Sequence, residues 1–335
     1  MQMRFGLNWT DGELAAEAED AGATGFCTGD FADHDAYLNL AEMARESRDA
    51  EVGTAIAYAF ARTPYAHATA ARQIHRTAPG RVFLGFGSGA HRINRDWFSV
   101  PPDRPVGRIK ELLSAVRAFL EAENGQTVRF EGDYYDIRAD IGAPVLGRLE
   151  IPLMLAGFNA GMATAAGEVA DGIIGHGLFT SRWWDEVVRP AVATGHSRSS
   201  RERGPWRETG WVITSLNDED PERAILDARR MIAFYLTVKT YDPFVEFHGW
   251  QRAVADIREA FAGKDPGAMA AAVSDDMLQA VAVARTVEDG RKQLASRAGG
   301  LPSDLAFLAA PSYLVSRRRQ HEYARAGLRL ISSLV

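Results

Sequence analysis

The stretch RVFLGFGSGAHRINRDW, residues 81–97, joins an apolar segment to a polar loop and decides how the rest of the chain is interpreted. Its first part, VFLGF, is typical of a buried strand, and the glycines and serine that follow end in charged residues. A polar, glycine-rich loop after a strand is where α/β proteins place ligands, because glycine lets the backbone approach closely. The stretch therefore predicts one strand of an α/β fold with a binding loop at its C-terminal end.

The same order of strand and helix recurs along the whole chain. Strand-like segments lie near residues 4, 25, 53, 83, 154, 173, 212 and 305, and helical sequence follows each of them. Eight βα units in one chain favour a closed (β/α)8 TIM barrel over an open sheet. Because no Gly/Ser-rich linker divides the 335 residues, we expect residues 1–335 to form a single barrel domain.

Two insertions interrupt this regular order. The segment VRFEGDYYDI, residues 128–137, alternates with the period of a strand around a Glu-Gly-Asp turn and predicts a hairpin after the fourth helix. Residues 221–285 have mostly helical sequence and are longer than one crossover requires. We expect this helical segment, which precedes the eighth strand, to cover the mouth of the barrel.

Composition restricts the partners of the chain. A formal net charge of −6 and a pI of about 5.8 argue against a nucleic-acid partner, since such proteins are usually basic. Cys27 is the single cysteine of the sequence, which excludes an intramolecular disulfide and a cysteine-based metal site. No signal peptide and no run of about 18 apolar residues is recognisable. We therefore expect a soluble, cytoplasmic protein without a membrane partner.

The glycines of the opening stretch do not match the dinucleotide-binding fingerprint. That fingerprint, G-x-G-x-x-G, follows the first strand and opens a helix directly. Here a G-x-G-x-G pattern follows the fourth strand and leads into a charged loop. On this pattern alone, a ligand-binding loop and a strand end packed tightly inside a barrel remain equal alternatives.

Three other strand ends favour the binding interpretation. The second strand runs into GDFADHD (29–35), the fifth into AGFNAGM (156–162) and the sixth into GHG (175–177). A barrel builds its active site at the C-terminal ends of its strands, so these loops converge on one mouth. Backbone N–H groups at the helix start within residues 156–162 suit an anion. The mouth is therefore predicted to hold a phosphate-bearing cofactor, and no residue cluster has the spacing of a metal site.

These segments carry a specific resemblance. GFCTGDFADH (25–34), PGRVFLGFGSG (79–89), FEGDYYDI (130–137) and IPLMLAGFNAGMATAAGEVADGIIGH (151–176) resemble, in this order, the bacterial-luciferase-like superfamily. Within it they are similar to the deazaflavin-dependent branch that includes methylenetetrahydromethanopterin reductase. The resemblance implies a TIM barrel, coenzyme F420 as cofactor and a homodimer.

The resemblance also implies cofactor-binding residues at the strand ends. Their expected roles are to hydrogen-bond the deazaflavin ring, to lie under it, or to hold the ribityl and phosphate tail, and Gly175 is included for its position at the sixth strand end. The set consists of Asp33, Ala55, Ile56, Ser88, Gly89, Asn94, Gly157, Phe158, Asn159, Gly161 and Gly175. The family further implies a cis peptide bond between Ala55 and Ile56.

The expected proton donor is less defined. In the family a histidine beside the aspartate lies next to the reacting carbon, and His34 occupies that place here, although a surface loop rich in Asp and His would give the same sequence. In the deazaflavin-dependent glucose-6-phosphate dehydrogenases a glutamate follows the Ser/Thr-Gly pair. Here that position is Ala90, and His91 follows it. We expect His34, His91 or water to supply a proton, and no oxidation of glucose 6-phosphate.

Three functions remain open at this point. The favoured one is an F420-dependent oxidoreductase that passes a hydride between the deazaflavin and a small organic substrate. The second is an FMN-dependent luciferase-like monooxygenase, which would share the fold and the strand ends. The third is a non-catalytic flavin-binding barrel, which the loss of an acid at Ala90 leaves possible.

Overall fold

The computed structural model describes residues 3–142, 147–202, 204–297 and 300–334. Its strands, in chain order, are β1 (Arg4–Asn8), β2 (Gly25–Thr28), β3 (Glu51–Thr54), β4 (Ala57–Tyr58), β5 (Val82–Gly87), β6 (Thr127–Glu131), β7 (Asp136–Asp140), β8 (Leu153–Ala156), β9 (Gly172–Gly175), β10 (Arg207–Leu216), β11 (Val283–Arg285) and β12 (Leu305–Ala309).

A closed parallel barrel forms the centre of the molecule. Its strands follow the order β1, β2, β3, β5, β8, β9, β10 and β12, and β12 pairs again with β1. The register places Arg4 opposite Leu305 across the closing pair. These eight strands are the eight that the sequence predicts, which confirms the (β/α)8 barrel.

Helices surround the barrel between successive strands. The α-helices are α1 (Ala15–Asp20), α2 (Ala36–Glu46), α3 (Pro64–Thr77), α4 (His91–Asp96), α5 (Pro105–Leu120), α6 (Ala160–Val169), α7 (Ser181–Trp183), α8 (Arg189–Arg198), α9 (Pro221–Leu236), α10 (Asp242–His248), α11 (Gln251–Ala262), α12 (Pro266–Ala271), α13 (Asp275–Val281), α14 (Val287–Ser296) and α15 (Arg317–Ser332). A π-turn at Trp184–Val188 precedes α8, and a 3₁₀ turn at Lys239–Tyr241 precedes α10. None of the helices in the described ranges is both long and apolar enough to cross a bilayer.

Both predicted insertions are present. Strands β6 and β7 form the antiparallel hairpin, and α9 to α13 form the helical segment. The segment ends in β11, a three-residue strand that pairs with β10 and that the sequence analysis did not predict. Residues 51–60, around the third predicted strand, are divided into β3 and the two-residue β4, which pairs with β5.

The interior of the barrel is filled with apolar side chains, so it offers no channel. Cys27, Phe83, Met154, Ile174 and Phe307 are all buried there. The rings of Phe83 and Phe307 stack at a centroid distance of 6.1 Å. A ligand site must therefore lie above this layer, at the C-terminal ends of the strands.

Four charged side chains close the opposite end of the barrel. Arg4 donates to Glu51 at 2.9 Å and to Asp304 at 2.6 Å, and Arg207 donates to the same two carboxylates at 2.5 and 2.9 Å. Each cation thus contacts both anions. This basal ion-pair ring, formed by Arg4, Glu51, Arg207 and Asp304, ties β1, β3, β10 and the start of β12 together.

Candidate functional site

The loops that follow β2, β3, β5, β8 and β9 all leave the barrel at the same end, which is the mouth. Most of the residues selected from the sequence lie on these loops.

Asp33 and His34 form a hydrogen-bonded pair on the loop after β2. His34 Nδ1 lies 2.7 Å from Asp33 Oδ1, and the Asp33 side chain is 83% exposed whereas that of His34 is 23% exposed. When Nδ1 donates to the carboxylate, the neutral ring keeps Nε2 as a free acceptor. Phe31 and Trp97 lie beside the pair, with their ring centroids 6.2 Å apart. The arrangement leaves His34 able to take or give a proton at the edge of the mouth.

His91 has a different environment. It is the first residue of α4 and is exposed, and Ala90 precedes it as the helix cap. No hydrogen bond or ion pair to another described residue fixes its ring. The structure therefore orients His34 but not His91, which makes His34 the better candidate for proton transfer.

The peptide bond between Ala55 and Ile56 is cis, as the resemblance implies. This segment lies between two glycines of neighbouring strand ends. A Cβ on Gly29 would lie 3.2 Å from Ile56 N, and a Cβ on Gly87 would lie 2.6 Å from Ile56 Cδ1. Asp30 N–H donates to Ile56 O at 2.9 Å. Close packing and a backbone hydrogen bond therefore fix Ala55 and Ile56 at the mouth.

Asp30 organises two of the mouth loops, a role that the sequence analysis missed. Its carboxylate accepts hydrogen bonds from Ala36 N and Tyr58 N, both at 2.8 Å, and from the Arg62 guanidinium at 2.7 and 2.9 Å. Burial opposes its ionisation, but these donors outweigh burial and lower the pKa of Asp30. Arg62 also pairs with Asp35. The Asp30–Arg62 clamp thus joins the loop carrying His34 to the loop carrying Ile56.

The buried side chain of His67 supports the Asp30–Arg62 clamp through Tyr37. The Tyr37 hydroxyl lies 2.6 Å from His67 Nδ1, and His67 Nε2 lies 3.1 Å from Ala59 O. Arg62 lies over the Tyr37 ring, 5.1 Å from its centroid. Burial lowers the pKa of His67 to about 4, so the ring is neutral at pH 7. In the neutral ring Nε2 donates to the carbonyl and Nδ1 accepts from the hydroxyl.

The loop after β5 is held from inside by Asn94. Its Nδ2 donates to Ser88 O at 2.8 Å and to Ala90 O at 3.4 Å, and the side chain is buried. Gly89 has a φ of +68°, a conformation that favours glycine. Ser88 and Gly89 are thus presented by the loop, whereas Asn94 acts as its support.

The loop after β8 leads into an open helix N-terminus. No side chain caps α6, because Asn159 instead donates its Nδ2 to Thr240 O at 3.1 Å. A Cβ on Gly157 would lie 3.0 Å from Ala163 N, whereas a Cβ on Gly161 would meet nothing within 4 Å. Gly157 therefore permits close packing of the turn, and Gly161 leaves free space in front of it. The uncapped N–H groups of the first turn suit an anion.

The loop after β9 carries His176, which lies among aromatic rings. Its centroid is 4.7 Å from that of Tyr235, 4.8 Å from Trp211 and 5.4 Å from Phe158. Nδ1 accepts from Leu178 N–H at 3.2 Å, so the neutral ring carries its proton on Nε2. Burial lowers the pKa of His176 to about 3. His176 is therefore a neutral group and not an acid at pH 7.

Gly175 is explained by packing. A Cβ at this position would collide with the Trp184 ring, which is buried. Trp183 is buried as well, and its Nε1 donates to Phe158 O at 2.9 Å. The two tryptophans thus pack beneath the mouth, and Gly175 provides room for one of them.

The donor groups at the mouth fit a phosphate-bearing flat cofactor rather than a metal. The Oδ1 of Asn159, beside the open start of α6, is buried without a hydrogen-bond partner among the described residues, and as an acceptor it fits a hydroxyl of a ligand and not a phosphate oxygen. In the same described ranges, no group of three His, Cys, Asp or Glu side chains could hold a metal ion. The open start of α6 therefore offers backbone donors to an anionic tail at the mouth.

Comparison with known proteins is consistent with this site. An uncharacterized protein of Mycobacterium tuberculosis is 31% identical over 297 residues, which cover 86% of this chain and 87% of that protein. The 5,10-methylenetetrahydromethanopterin reductase of Methanolobus tindarius is 25% identical over 306 residues, which cover 87% and 90%. The structure of the coenzyme F420-dependent tetrahydromethanopterin reductase from Methanopyrus kandleri matches with a TM-score of 0.78 and 20% identity, covering 100% of this chain and 99% of that one.

The family itself is identified by a sequence model. The model of luciferase-like monooxygenases matches residues 11–303, which is most of the chain. Sequence relatives include 5,10-methylenetetrahydromethanopterin reductases and an F420-dependent glucose-6-phosphate dehydrogenase, so enzyme activity is supported. With a barrel of the same architecture and a matching model over most of its length, the chain belongs to the luciferase-like monooxygenase family.

Proposed function

We propose that this protein is an F420-dependent oxidoreductase that transfers a hydride between the deazaflavin and a small organic substrate. The observation that carries the proposal is the uncapped start of α6, with Gly161 leaving free space before it, at the same mouth as the Asp33–His34 pair. The start of α6 suits an anionic tail, and the Asp33–His34 pair suits proton transfer. The F420-dependent glucose-6-phosphate dehydrogenase relative and the tetrahydromethanopterin reductase structure, which is described as coenzyme F420-dependent, support the same cofactor class.

Each part of the cofactor has a place in this proposal. The N–H groups of Ala160 and Gly161 bind the phosphate of the tail, and Ser88 and Gly89 contact its ribityl part. Ala55 and Ile56 lie under the central ring, and the Asp30–Arg62 clamp fixes their position. When bound, the deazaflavin supplies the hydride-carrying carbon.

The protein itself would transfer a proton and exclude water from the site. Asp33 orients His34 through Nδ1, so that Nε2 can exchange a proton with the substrate. The aromatic rings beside His176 keep water away from the opposite side of the mouth. FMN is the alternative cofactor, because the matching family model describes monooxygenases and a flavin ring has the same flat shape.

Titration of the purified protein with F420 and with FMN, followed by fluorescence, tests the proposal. We expect F420 to bind at least tenfold more tightly than FMN. In the Gly161→Leu variant the new side chain fills the free space, so F420 affinity should fall at least tenfold. Gly142→Leu is the matched control, because that glycine is exposed and also has nothing within 4 Å of a Cβ. Equal or tighter binding of FMN contradicts the proposal.

A further inference from the structure

One side of the mouth is built almost entirely from aromatic rings. We define the aromatic wall as Phe158, His176, Trp211, Tyr235 and Tyr241, of which the last two come from the helical segment 221–285. Phe158 and Tyr241 are 4.4 Å apart between ring centroids, and Trp211 and Tyr235 are 5.8 Å apart. All five side chains are partly accessible rather than fully buried. The wall is therefore a continuous surface that a ligand in the mouth can contact.

Tyrosine hydroxyls provide the free polar atoms at this surface. Tyr58, on β4, lies close enough to Tyr235 and Tyr241 to disfavour ionisation of both of their hydroxyls. Burial raises the pKa of each tyrosine, so each stays a neutral phenol at pH 7. Tyr241 contacts His176 Nε2 at 3.4 Å. The hydroxyls of Tyr58 and Tyr235 have no hydrogen-bond partner among the described residues.

Charged groups near the wall already have partners or face solvent. The guanidinium of Arg297, which lines a pocket with His176 and Trp211, donates to the carbonyl oxygens of Val281 and Gln279. Asp242, next to Tyr241, pairs with Arg258, and Asp30, whose carboxylate accepts from Tyr58 N, pairs with Arg62. Lys239 lies on the short turn before Tyr241 and is exposed. His176 itself is neutral. An anion that left water for the wall would lose hydration without gaining a free opposite charge, and a cation would gain only ring faces, since it carries no oxygen for the free tyrosine hydroxyls.

From this surface we infer the chemical class of the substrate: an uncharged molecule that combines a flat aromatic ring with a carbonyl or hydroxyl group. This inference rests on the proposed function and deepens it. The ring packs against the aromatic wall, which stabilises it through burial and ring–ring contacts. The oxygen accepts from or donates to the free hydroxyls of Tyr58 and Tyr235, as a few placed polar groups orient a ligand in an apolar pocket.

Calorimetric titration with three probes of the same ring size tests the inference. The probes are 2-acetylnaphthalene, which is neutral, 2-naphthoate, which is anionic, and N,N,N-trimethyl-2-naphthylammonium, which is cationic. We expect the neutral ketone to bind at least tenfold more tightly than either ion. Each titration is carried out with the protein alone and with saturating oxidised F420, and the ketone affinity should change less than threefold.

Variants separate the role of the wall from folding. Tyr235→Phe keeps the ring and removes the hydroxyl, so ketone affinity should fall three- to tenfold. Tyr235→Lys places a cation in the wall, and the preference should shift towards 2-naphthoate. The matched control is Tyr65→Lys, because Tyr65 lies on α3 and is 61% exposed. This control should leave all three affinities unchanged.

The outcomes distinguish the inference from the proposed function. Tighter binding of either ion by the unmodified protein overturns the inference. Competition between F420 and the ketone also overturns it, because the wall would then belong to the cofactor site. If the ketone preference is present but F420 does not bind, the proposed function fails while the wall keeps its assigned selectivity.

Discussion

At the scale of single residues, His34 and His176 show how surroundings decide chemistry. His34 has a carboxylate on Nδ1 and a partly exposed ring, whereas His176 lies among aromatic rings that hold it neutral. We predict that His34→Gln lowers turnover by about 10²-fold, the usual effect of losing a general acid or base. F420 affinity should change less than about twofold, because the proposed role of His34 is proton transfer and the anionic tail is held elsewhere, at the start of α6. Lost affinity with unchanged turnover would assign His34 to cofactor binding instead.

His67 permits a second prediction, on acid stability. Burial lowers its pKa to about 4 from an ordinary value near 6.5, so between these pH values the unfolded chain binds a proton that the folded chain does not. Stability therefore rises with pH across this window and is lost on acidification, by about 3 kcal/mol in total. In His67→Gln, the free energy of unfolding should depend less steeply on pH, because about one proton fewer is taken up on unfolding. Denaturation at several pH values measures this dependence. His91→Gln, at an exposed position, should keep the slope of the unmodified protein.

At the scale of structural elements, the Asp30–Arg62 clamp joins two mouth loops. Lysine at position 62 would keep the charge but lose the two parallel hydrogen bonds. We predict that Arg62→Lys weakens F420 binding at least threefold and speeds hydrogen exchange in residues 29–36 and 55–62. The control is Arg48→Lys, since the Arg48 pair with Asp20 is exposed and water screens it. Unchanged exchange in both loops would show that the clamp does not order them.

The elements also show what the sequence could predict. The hairpin β6–β7 and the eight barrel strands were predicted because apolar periodicity and turn residues are local signals. The short strand β11 was missed, since three residues carry too little pattern and its pairing with β10 is a tertiary contact. Within GDFADHD the sequence could not show that Asp30 bonds Arg62 while Asp33 faces solvent. The aromatic wall was missed as well, because its members come from two strand ends, the middle of β10 and a distant helical segment.

At the scale of the whole molecule, the two ends of the barrel have different tasks. The basal ion-pair ring closes the N-terminal end, and the candidate site occupies the C-terminal end, with a packed apolar layer between them. In TIM barrels the first end contributes stability and the second carries activity. Changes at one end should therefore leave the property of the other end intact.

This separation gives the last prediction. Asp304 is only 15% exposed and contacts both Arg4 and Arg207, so Asp304→Asn leaves two cations with a single carboxylate partner, Glu51. Breaking such a pair destabilises by about 3 kcal/mol, which urea denaturation will measure as a lower midpoint at unchanged slope. F420 affinity of the folded protein should stay within about twofold, because the basal ion-pair ring does not reach the mouth. Gly161→Leu should show the opposite pattern, with an unchanged midpoint and weakened F420 binding. If Asp304→Asn weakened F420 binding as strongly as Gly161→Leu, the two ends would be coupled through the apolar layer, and the division of tasks would be wrong.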